Sequence, residues 1–416
     1  GLCFALIGGL SGDFRVSDLS LVPHRLWGVM QNVSLMSVPL FILMGLVLER
    51  SQLAQDLLTT AERLLRRLRG GLAVAVILVG ALVAASTGIV GATVVTLGVL
   101  SLPVMLRSGY DPRLSAGTVA ASGTLGQIIP PSVVLVLLGD LLSVSVGDLF
   151  MGAVIPGAIL VGSYLAYVLI RVHLQPRLAP LPPAVDIEEA GPLLRALAKG
   201  LLPTGGLILL VLGTILAGVA TPTEAAGCGA VGAIFIALAR RRLSRALLRE
   251  AGMETAKMTS MVFAILAGAQ VFTVVFRGVG GEHWLIGLIQ GVDPGPHTAI
   301  AVIMLLMFIL GFFLDFLEIC FIVIPMILPV LWHVGWTGPE QMILLGVLMG
   351  VNLQTSFLTP PFGFSLFYLK GCAPPELRTA DIYRGVAPFV LLQLAVIALL
   401  VLVPDLVLWL PRVLAR

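Results

Sequence analysis

Charged residues are scarce in this sequence, since they make up 11% of its 416 residues while hydrophobic residues make up 58%. A water-soluble domain carries roughly 25% charged residues, so most of this chain cannot face water. Apolar stretches of about 20 residues, long enough to cross the hydrocarbon core of a bilayer, recur from one end of the sequence to the other. The composition excludes a soluble enzyme and predicts an all-α polytopic membrane protein.

Cysteine and nucleotide-binding motifs are equally sparse. The four cysteines (Cys3, Cys228, Cys320 and Cys372) stand singly in or beside apolar runs, a spacing that suggests neither a disulfide framework nor a metal site. The sequence has no Walker loop, dinucleotide fingerprint or hydrolase motif. ATP-driven pumping by this chain alone is thereby disfavoured, and secondary transport of a small solute is the function that the composition favours.

The positions of the basic residues predict which loops lie inside the cell. Arginines cluster between apolar segments, which is a signal of membrane topology and not of nucleic-acid binding. Threading the spans in order places 20 of the 25 Lys and Arg residues on the cytoplasmic side and 5 on the other. The sequence opens at Gly1 inside an apolar run, which predicts the end of a span rather than a signal peptide.

Two apolar runs are too long for one span and too short for two. Residues 71–106 are flanked by Arg69 and Arg107. Since basic residues at both ends place both ends in the cytoplasm, this run is predicted to enter the membrane and return, with its tip at residues 85–93. Residues 298–331 have no nearby Lys or Arg, which predicts a second re-entrant hairpin that enters from the opposite side, with its tip at residues 311–318.

A polar stretch followed by a double proline occurs twice. Pro130-Pro131 and Pro360-Pro361 are 230 positions apart, and two successive prolines unwind a membrane helix. We therefore expect an inverted repeat, each half with a re-entrant hairpin and a Pro-Pro-broken span, as is typical of secondary transporters. Residues 1–170 form the first repeat, residues 171–200 a Pro-rich cytoplasmic linker, and residues 201–416 the second repeat.

The broken spans carry oxygen ligands at membrane depth. Unwound backbone is tolerated there only where protein or a water-filled cavity satisfies it, and freed carbonyls beside hydroxyls suit a hard cation such as Na⁺. The alternative is that these small polar residues only pack helices together. The oxygen-bearing side chains near the breaks are Ser122, Thr124, Asn352, Thr355, Ser356 and Thr359.

Acidic residues inside the predicted membrane segments need separate explanations. Asp315 and Glu318 lie within one helical turn of each other at the second tip, and intramembrane carboxylates are costly and by default functional. The alternative is a tip that reaches the aqueous boundary. Glu224 is instead predicted to begin a helix, with Thr221 or Thr223 as its cap.

Longer motifs resemble a known family, the large permease subunit of tripartite ATP-independent periplasmic (TRAP) transporters. The resemblance covers essentially the whole chain. Within the family, the sequences of the motifs are similar to those of the subgroup labelled mannitol/chloroaromatic. The motifs that carry it are PLFILMGLVLERS (39–51), ASTGIVGATVVTLG (85–98), RSGYDP through ASGTLGQIIPPS (107–132), TPTEAAGCGAVGA (221–233), GFFLDFLEICFIVIPMILP (311–329) and NLQTSFLTPPFGFSLFYLKG (352–371).

The resemblance implies an elevator-type transporter of the bacterial inner membrane, coupled to a Na⁺ gradient. It further implies a small membrane subunit of four spans and a periplasmic substrate-binding protein as partners. Na⁺ is implied at Ser86, Ser122, Gly123, Thr124, Gly126, Gly311, Asp315, Asn352, Thr355, Ser356 and Thr359. For the substrate we expect Ser86, Thr87, Gly88, Gly91, Thr93, Asp315, Glu318 and Gln354.

The second tip departs from the family pattern. Many relatives have proline and small residues after the tip aspartate, whereas Phe316, Leu317 and Glu318 follow Asp315 here. A bulkier, more apolar tip favours a small organic acid such as a 2-oxo or 2-hydroxy monocarboxylate. Two other functions stay open: a stand-alone cation-coupled organic-anion transporter or exchanger without a binding protein, and an intramembrane enzyme that uses Asp315 and Glu318 as an acid–base pair.

Overall fold

The structure is a computed structural model that describes residues 2–11, 14–65, 67–88, 90–181, 190–290, 295–360 and 363–414. Those residues form helices and connections and contain no strand. The first ten helices are α1 (Leu2–Ser11), α2 (Leu21–Met30), α3 (Ser37–Arg50), α4 (Leu53–Leu65), α5 (Gly71–Thr87), α6 (Val90–Arg107), α7 (Pro112–Thr124), α8 (Val133–Leu141), α9 (Val146–Leu174) and α10 (Ala190–Leu216).

Ten further helices follow among the described residues, and one of them is preceded by a π-helical turn at Ile319–Val323. They are α11 (Pro222–Ala239), α12 (Arg245–Gly278), α13 (Gly281–Gln290), α14 (Pro296–Leu310), α15 (Phe316–Glu318), α16 (Ile324–His333), α17 (Pro339–Leu358), α18 (Phe364–Cys372), α19 (Thr379–Leu402) and α20 (Asp405–Leu414).

Membrane-spanning length is common among these helices. In the described part of the chain, seven helices are long and apolar enough to cross a membrane, or eight if a pair bent by 59° at residues 31–33 is counted as one span. The polytopic all-α fold predicted from composition is therefore confirmed.

The first predicted hairpin breaks at a glycine. Helix α5 ends at Thr87 and is capped by Gly88, which has a φ of +61° and donates its backbone N–H to the carbonyl oxygen of Ala84. This left-handed conformation closes a helix at no steric penalty only for glycine. Helix α6 resumes at Val90 and packs back on α5, so the break lies inside the predicted tip.

The second predicted hairpin breaks within its predicted tip too. Helix α14 ends at Leu310, and residues 311–314 form a turn. Asp315 then caps α15, because its Oδ1 accepts the N–H of Phe316 at 2.8 Å while its own N–H donates to Glu318 Oε2 at 3.3 Å. This reciprocal pair is a capping box, which satisfies N–H groups that the helix itself cannot.

Both proline-marked spans are interrupted as expected. Helix α7 continues as a 3₁₀ turn at Leu125–Gln127, and α8 begins only at Val133, beyond Pro130 and Pro131, which are joined by a cis peptide bond. Helix α17 ends at Leu358 and α18 begins at Phe364. The double proline of this second break is described only at Pro360, because residues 361–362 lie outside the described residues.

Several predicted boundaries are wrong. The linker predicted at residues 171–200 is shorter, since α9 continues to Leu174 and α10 begins at Ala190. Pro103 and Pro329 do not end helices, because they lie inside α6 and α16. The apolar run at residues 385–410 is divided between two helices, α19 and α20. The capping prediction at Glu224 is confirmed, with Thr221 as the cap.

The two broken spans occupy the centre of the molecule. Residues 114–124 of α7 and residues 342–358 of α17 are all buried. Helix α7 packs on α19 so closely that a Cβ at Gly117 would lie 2.1 Å from the carbonyl oxygen of Gly385. Helices α3, α4, α10, α11 and α12 form a neighbouring group, in which α3 and α4 also pack on α5 of the first hairpin. The polar residues of the broken spans are thus held inside a shell of other helices.

Candidate cation and substrate site

The first hairpin tip contacts both sides of the first break. A Cβ at Gly126 would lie 2.8 Å from the carbonyl oxygen of Ala84, and a Cβ at Gly88 would lie 3.2 Å from a side-chain carbon of Val133. On the other arm, a Cβ at Gly123 would lie 2.4 Å from the Val94 side chain. The hairpin therefore packs directly on α7 and the 3₁₀ turn, since positions 123 and 126 leave no room for a side chain larger than hydrogen.

The second hairpin tip contacts the second broken span in the same manner. A Cβ at Gly311 would lie 2.3 Å from the Ser356 hydroxyl oxygen. Asn352, one turn before Ser356, donates a 2.8 Å hydrogen bond from Nδ2 to the carbonyl oxygen of Met304, which lies about two turns before Gly311 in α14. Each tip region therefore lies against one predicted cation ligand, since Ala84 contacts Gly126 at the first junction and Gly311 contacts Ser356 at the second.

Hydroxyl groups at both junctions have a uniform hydrogen-bond pattern. Each donates its proton to a backbone carbonyl three or four residues earlier, so its oxygen remains an acceptor that can bind a cation; Thr124 Oγ1 also accepts from Gln354 Nε2 at 3.4 Å. Oxygen ligands of this kind suit a hard ion such as Na⁺. The donor–acceptor distances are 2.7 Å for Ser86, 2.6 Å for Ser122, 2.9 Å for Thr124, 2.8 Å for Thr355, 2.8 Å for Ser356 and 2.8 Å for Thr359.

The donor set also argues against another kind of metal. In the part of the chain that the structure describes, no three His, Cys, Asp or Glu side chains come close enough to hold one ion. Transition metals favour imidazole and thiolate ligands. The neutral hydroxyl and carbonyl oxygens at the tips fit a monovalent or weakly held hard cation instead.

A buried hydrogen-bond network joins the two halves. Gln354 Nε2 lies 3.4 Å from Thr124 Oγ1 and 3.4 Å from the Tyr164 hydroxyl, which also accepts a 2.6 Å bond from Gln393 Nε2. All four residues are fully buried. Thr124 and Gln354 are 230 positions apart, as Pro130 and Pro360 are, and Tyr164 and Gln393 are 229 apart. Corresponding positions of the two halves therefore touch, as expected about a pseudo-two-fold axis.

The predicted substrate residues do not all lie at the hairpin tips. Asp315 and Glu318 are half-buried at the second tip. Gly91 faces α18, where a Cβ would lie 2.9 Å from the Tyr368 ring, and Thr93 is buried. Gln354 lies in the network between the halves rather than at a tip. The side chain of Thr87 lies outside the described part of the chain.

Sequence reasoning missed three residues of this region. Tyr164 and Gln393 complete the network around Gln354, and Gln127 is fully buried in the 3₁₀ turn with no hydrogen-bond partner for either side-chain polar atom. A glutamine inside an apolar span was a usable signal, because a buried amide is costly unless something satisfies it. Its position beside Gly126 and Ser132, whose hydroxyl donates to the Gln127 carbonyl at 2.7 Å, places it in the first break.

Two hairpins that meet two broken spans inside a helical shell define a polytopic membrane transporter. The chain belongs to the family described as the tripartite ATP-independent periplasmic transporter, DctM component, whose family model matches residues 1–406. The resemblance found in the sequence is thereby confirmed. The chain is a transport permease and not an enzyme, and it is a multi-pass protein of the inner membrane.

Relatives within this family match over most of the chain. The C4-dicarboxylate TRAP transporter large permease protein DctM of Pseudomonas aeruginosa is 30% identical over 410 residues, which cover 97% of this chain and 93% of the relative. The isethionate TRAP transporter permease protein DctMQ of Oleidesulfovibrio alaskensis is 31% identical over 373 residues, which cover 89% of this chain and 57% of the relative.

A solved structure shows the same fold. The YdaH transporter of Alcanivorax borkumensis, whose crystal structure was described as having an unusual topology, superimposes with a TM-score of 0.64. The match covers 95% of this chain and 90% of that chain at 16% sequence identity. At this identity the likeness concerns the fold alone.

Proposed function

We propose that this chain takes up a small organic acid together with Na⁺, as the large permease of a three-component transporter. The observation that carries the proposal is the contact of each hairpin tip with the unwound part of a broken span. At both contacts hydroxyl oxygens have their protons engaged and their lone pairs available. Two such oxygen-rich junctions within one buried centre are what a cation-coupled transporter requires.

The substrate is proposed to be a small carboxylate. The similar permeases are named for C4-dicarboxylate and for isethionate, which supports an organic acid. Residues 85–93 and 311–318 contain no Lys or Arg, so backbone N–H groups, hydroxyls and bound cations would hold the anion. The apolar second tip, with Phe312, Phe313 and Phe316, supports a 2-oxo or 2-hydroxy monocarboxylate. The mannitol/chloroaromatic subgroup label stays a prediction.

Movement is proposed to follow the elevator mechanism. The hairpins and broken spans pack on one another and would move together, whereas α3, α4, α10, α11 and α12 would form the scaffold. A polar contact crosses between the groups, because Thr96 Oγ1 of α6 donates a 2.6 Å hydrogen bond to Glu49 Oε1 of α3. That contact would have to break and reform as the moving part slides.

Partners follow from the family. A small membrane subunit of four spans and a periplasmic substrate-binding protein are proposed to complete the transporter. The rival function, a stand-alone transporter or exchanger, differs in one respect that can be measured, because it would accept substrate without a binding protein.

Reconstitution tests the proposal. The ligand that copurifies with the cognate binding protein is identified by mass spectrometry, labelled, and offered to vesicles that contain the permease and the small subunit. We expect accumulation only with both an inward Na⁺ gradient and the binding protein. Accumulation driven equally well by K⁺ would contradict Na⁺ coupling, and accumulation without the binding protein would establish the stand-alone alternative.

A further inference from the structure

A cavity of about 780 Å³ lies between α4, α10 and α11, and none of the hairpin-tip residues line it. Polar side chains of α4 form one wall, and two arginines that follow α11 form another. Helix α10 contributes Gly200 and Pro203 to the lining. The polar lining residues that matter below are Asp56, Thr59, Thr60, Arg63, Arg240 and Arg242.

Positive charge exceeds negative charge in this cavity. Arg240 Nη1 lies 3.4 Å from Asp56 Oδ2, and Arg242 Nη1 lies 3.1 Å from the same oxygen. Among the described lining residues, Asp56 is the one carboxylate beside Arg63, Arg240 and Arg242. Arg242 also donates from Nη1 to the Ser51 carbonyl oxygen at 2.8 Å and from Nη2 to Asp56 Oδ1 at 3.3 Å. A guanidinium group has five N–H donors, and Arg is the side chain best suited to phosphate oxygens.

Exposed leucines lie close in the chain to two of the lining residues. Leu201 and Leu202, which follow Gly200 in α10, are 42% and 69% exposed, and Leu238, two residues before Arg240, is 56% exposed. Exposed leucines on membrane helices are suited to contact lipid acyl chains. A ligand that places a phosphate in the cavity and hydrocarbon against the leucines therefore complements both surfaces, whereas a soluble anion complements only the first.

We propose that this cavity binds the phosphate headgroup of an anionic phospholipid of the surrounding bilayer. Basic pockets between membrane helices on the cytoplasmic side are the usual sites for such headgroups, and the arginine distribution predicts this end of α4 and α11 to be cytoplasmic. The headgroup would bridge α4 and α11, two helices assigned above to the scaffold. This site is independent of the proposed cation coupling.

Lipid titration of the purified, delipidated protein tests the proposal. Phosphatidylglycerol, phosphatidylcholine and inorganic phosphate are added separately, and bound lipid is counted by native mass spectrometry alongside the thermal midpoint. We expect phosphatidylglycerol to bind and to raise the midpoint, with phosphatidylcholine and phosphate ineffective. Stabilisation by inorganic phosphate alone would overturn the lipid assignment, as would equal retention of the two lipids.

Matched variants locate the binding. Arg240→Gln/Arg242→Gln should weaken phosphatidylglycerol binding by about fivefold for each arginine. The control Arg245→Gln/Arg249→Gln removes the same charge from exposed positions of α12 that do not line the cavity, and should bind normally. Asp56→Asn raises the net charge of the lining and should tighten binding about fivefold. Equal losses in the two double variants, or weaker binding by Asp56→Asn, would overturn the site.

Discussion

The hydroxyls at the hairpin contacts illustrate how neutral side chains can hold a cation inside a membrane. A fully ionised carboxylate at that depth would be costly, whereas a threonine that has already donated its proton presents only lone pairs. Thr124 and Thr359 share this state through bonds of 2.9 and 2.8 Å to their own helices. We propose that neutral hydroxyl oxygens, and not ionised side chains, select Na⁺ at these positions.

Thr124→Val and Thr359→Val delete one oxygen each and keep the shape of the side chain. We expect the Na⁺ concentration for half-maximal uptake to rise roughly tenfold, the equivalent of about 1.4 kcal/mol for a lost charge-assisted contact. Uptake at varied Na⁺ measures this effect.

Thr214→Val is the matched control, because Thr214 also donates to a carbonyl of its own helix, at 2.9 Å, but lies in α10 away from both tips. It should keep the wild-type Na⁺ dependence. An unchanged Na⁺ dependence in both site variants would assign Thr124 and Thr359 to packing.

Asp315 and Glu318 are joined by the capping box, which gives both residues a structural task in addition to any role in binding. Glu318→Gln removes the charge but keeps an oxygen that can accept the Asp315 N–H, so the cap should survive. If a bound cation neutralises the pair, this variant should weaken Na⁺ affinity and leave the pH dependence of uptake unchanged, and this is the outcome we expect.

A flattened pH profile for Glu318→Gln would indicate proton coupling instead. Wild-type Na⁺ and pH profiles in both Glu318→Gln and Asp315→Asn would contradict any transport role for the pair. Uptake measured across pH and Na⁺ concentration separates the three outcomes.

Close backbone approach is what turns a hairpin and a broken helix into one site. Gly311 has an ordinary helical conformation, so its importance lies in the space that it leaves for Ser356. Gly126 leaves the equivalent space for Ala84 at the first junction. Side-chain oxygens can share an ion only while these backbones touch.

Gly311→Ala should force the second tip away from α17. We expect a loss of stability of roughly 1 to 3 kcal/mol, as for other overpacked sites, and a loss of uptake that Na⁺ does not restore. Gly268→Ala in α12 is the control, because a Cβ there meets nothing within 4 Å. Thermal midpoint and uptake are measured together, and wild-type values for Gly311→Ala would contradict the proposed contact.

Local signals explain which elements the sequence predicted. Gly88 and Pro130 mark two of the breaks in the sequence, because glycine permits and proline enforces a departure from the helical backbone there. Helix α4 was missed because its buried face, with Leu53 and Leu57, is interleaved with polar residues and forms no continuous apolar run.

Long-range contacts had no such signal. The bond between Gln354 and Thr124 joins residues 230 positions apart, and one sequence does not say which polar residues of two spans meet. For this reason Gln354 was assigned to the substrate, whereas the structure places it between the halves.

The molecule as a whole shows crosswise packing of its halves. Helix α6 of the first hairpin packs on α18, where a Cβ at Gly98 would lie 2.6 Å from Cys372 Sγ. Reciprocally, α8 of the first broken span contacts the π-helical turn at Ile319–Val323 of the second hairpin. Together with the paired positions around Gln354, this pattern supports an inverted repeat whose hairpins enter from opposite sides.

Cysteine accessibility measures that arrangement most directly. In a variant whose native cysteines are replaced, single cysteines are placed at Arg69, Arg107, Gly295 and Thr337, four exposed positions at the ends of the two hairpins, and are labelled from each side of the membrane. The account predicts cytoplasmic labelling at Arg69 and Arg107 and periplasmic labelling at Gly295 and Thr337. Labelling of either pair from opposite sides would contradict the hairpins, the inverted repeat and the site built on them.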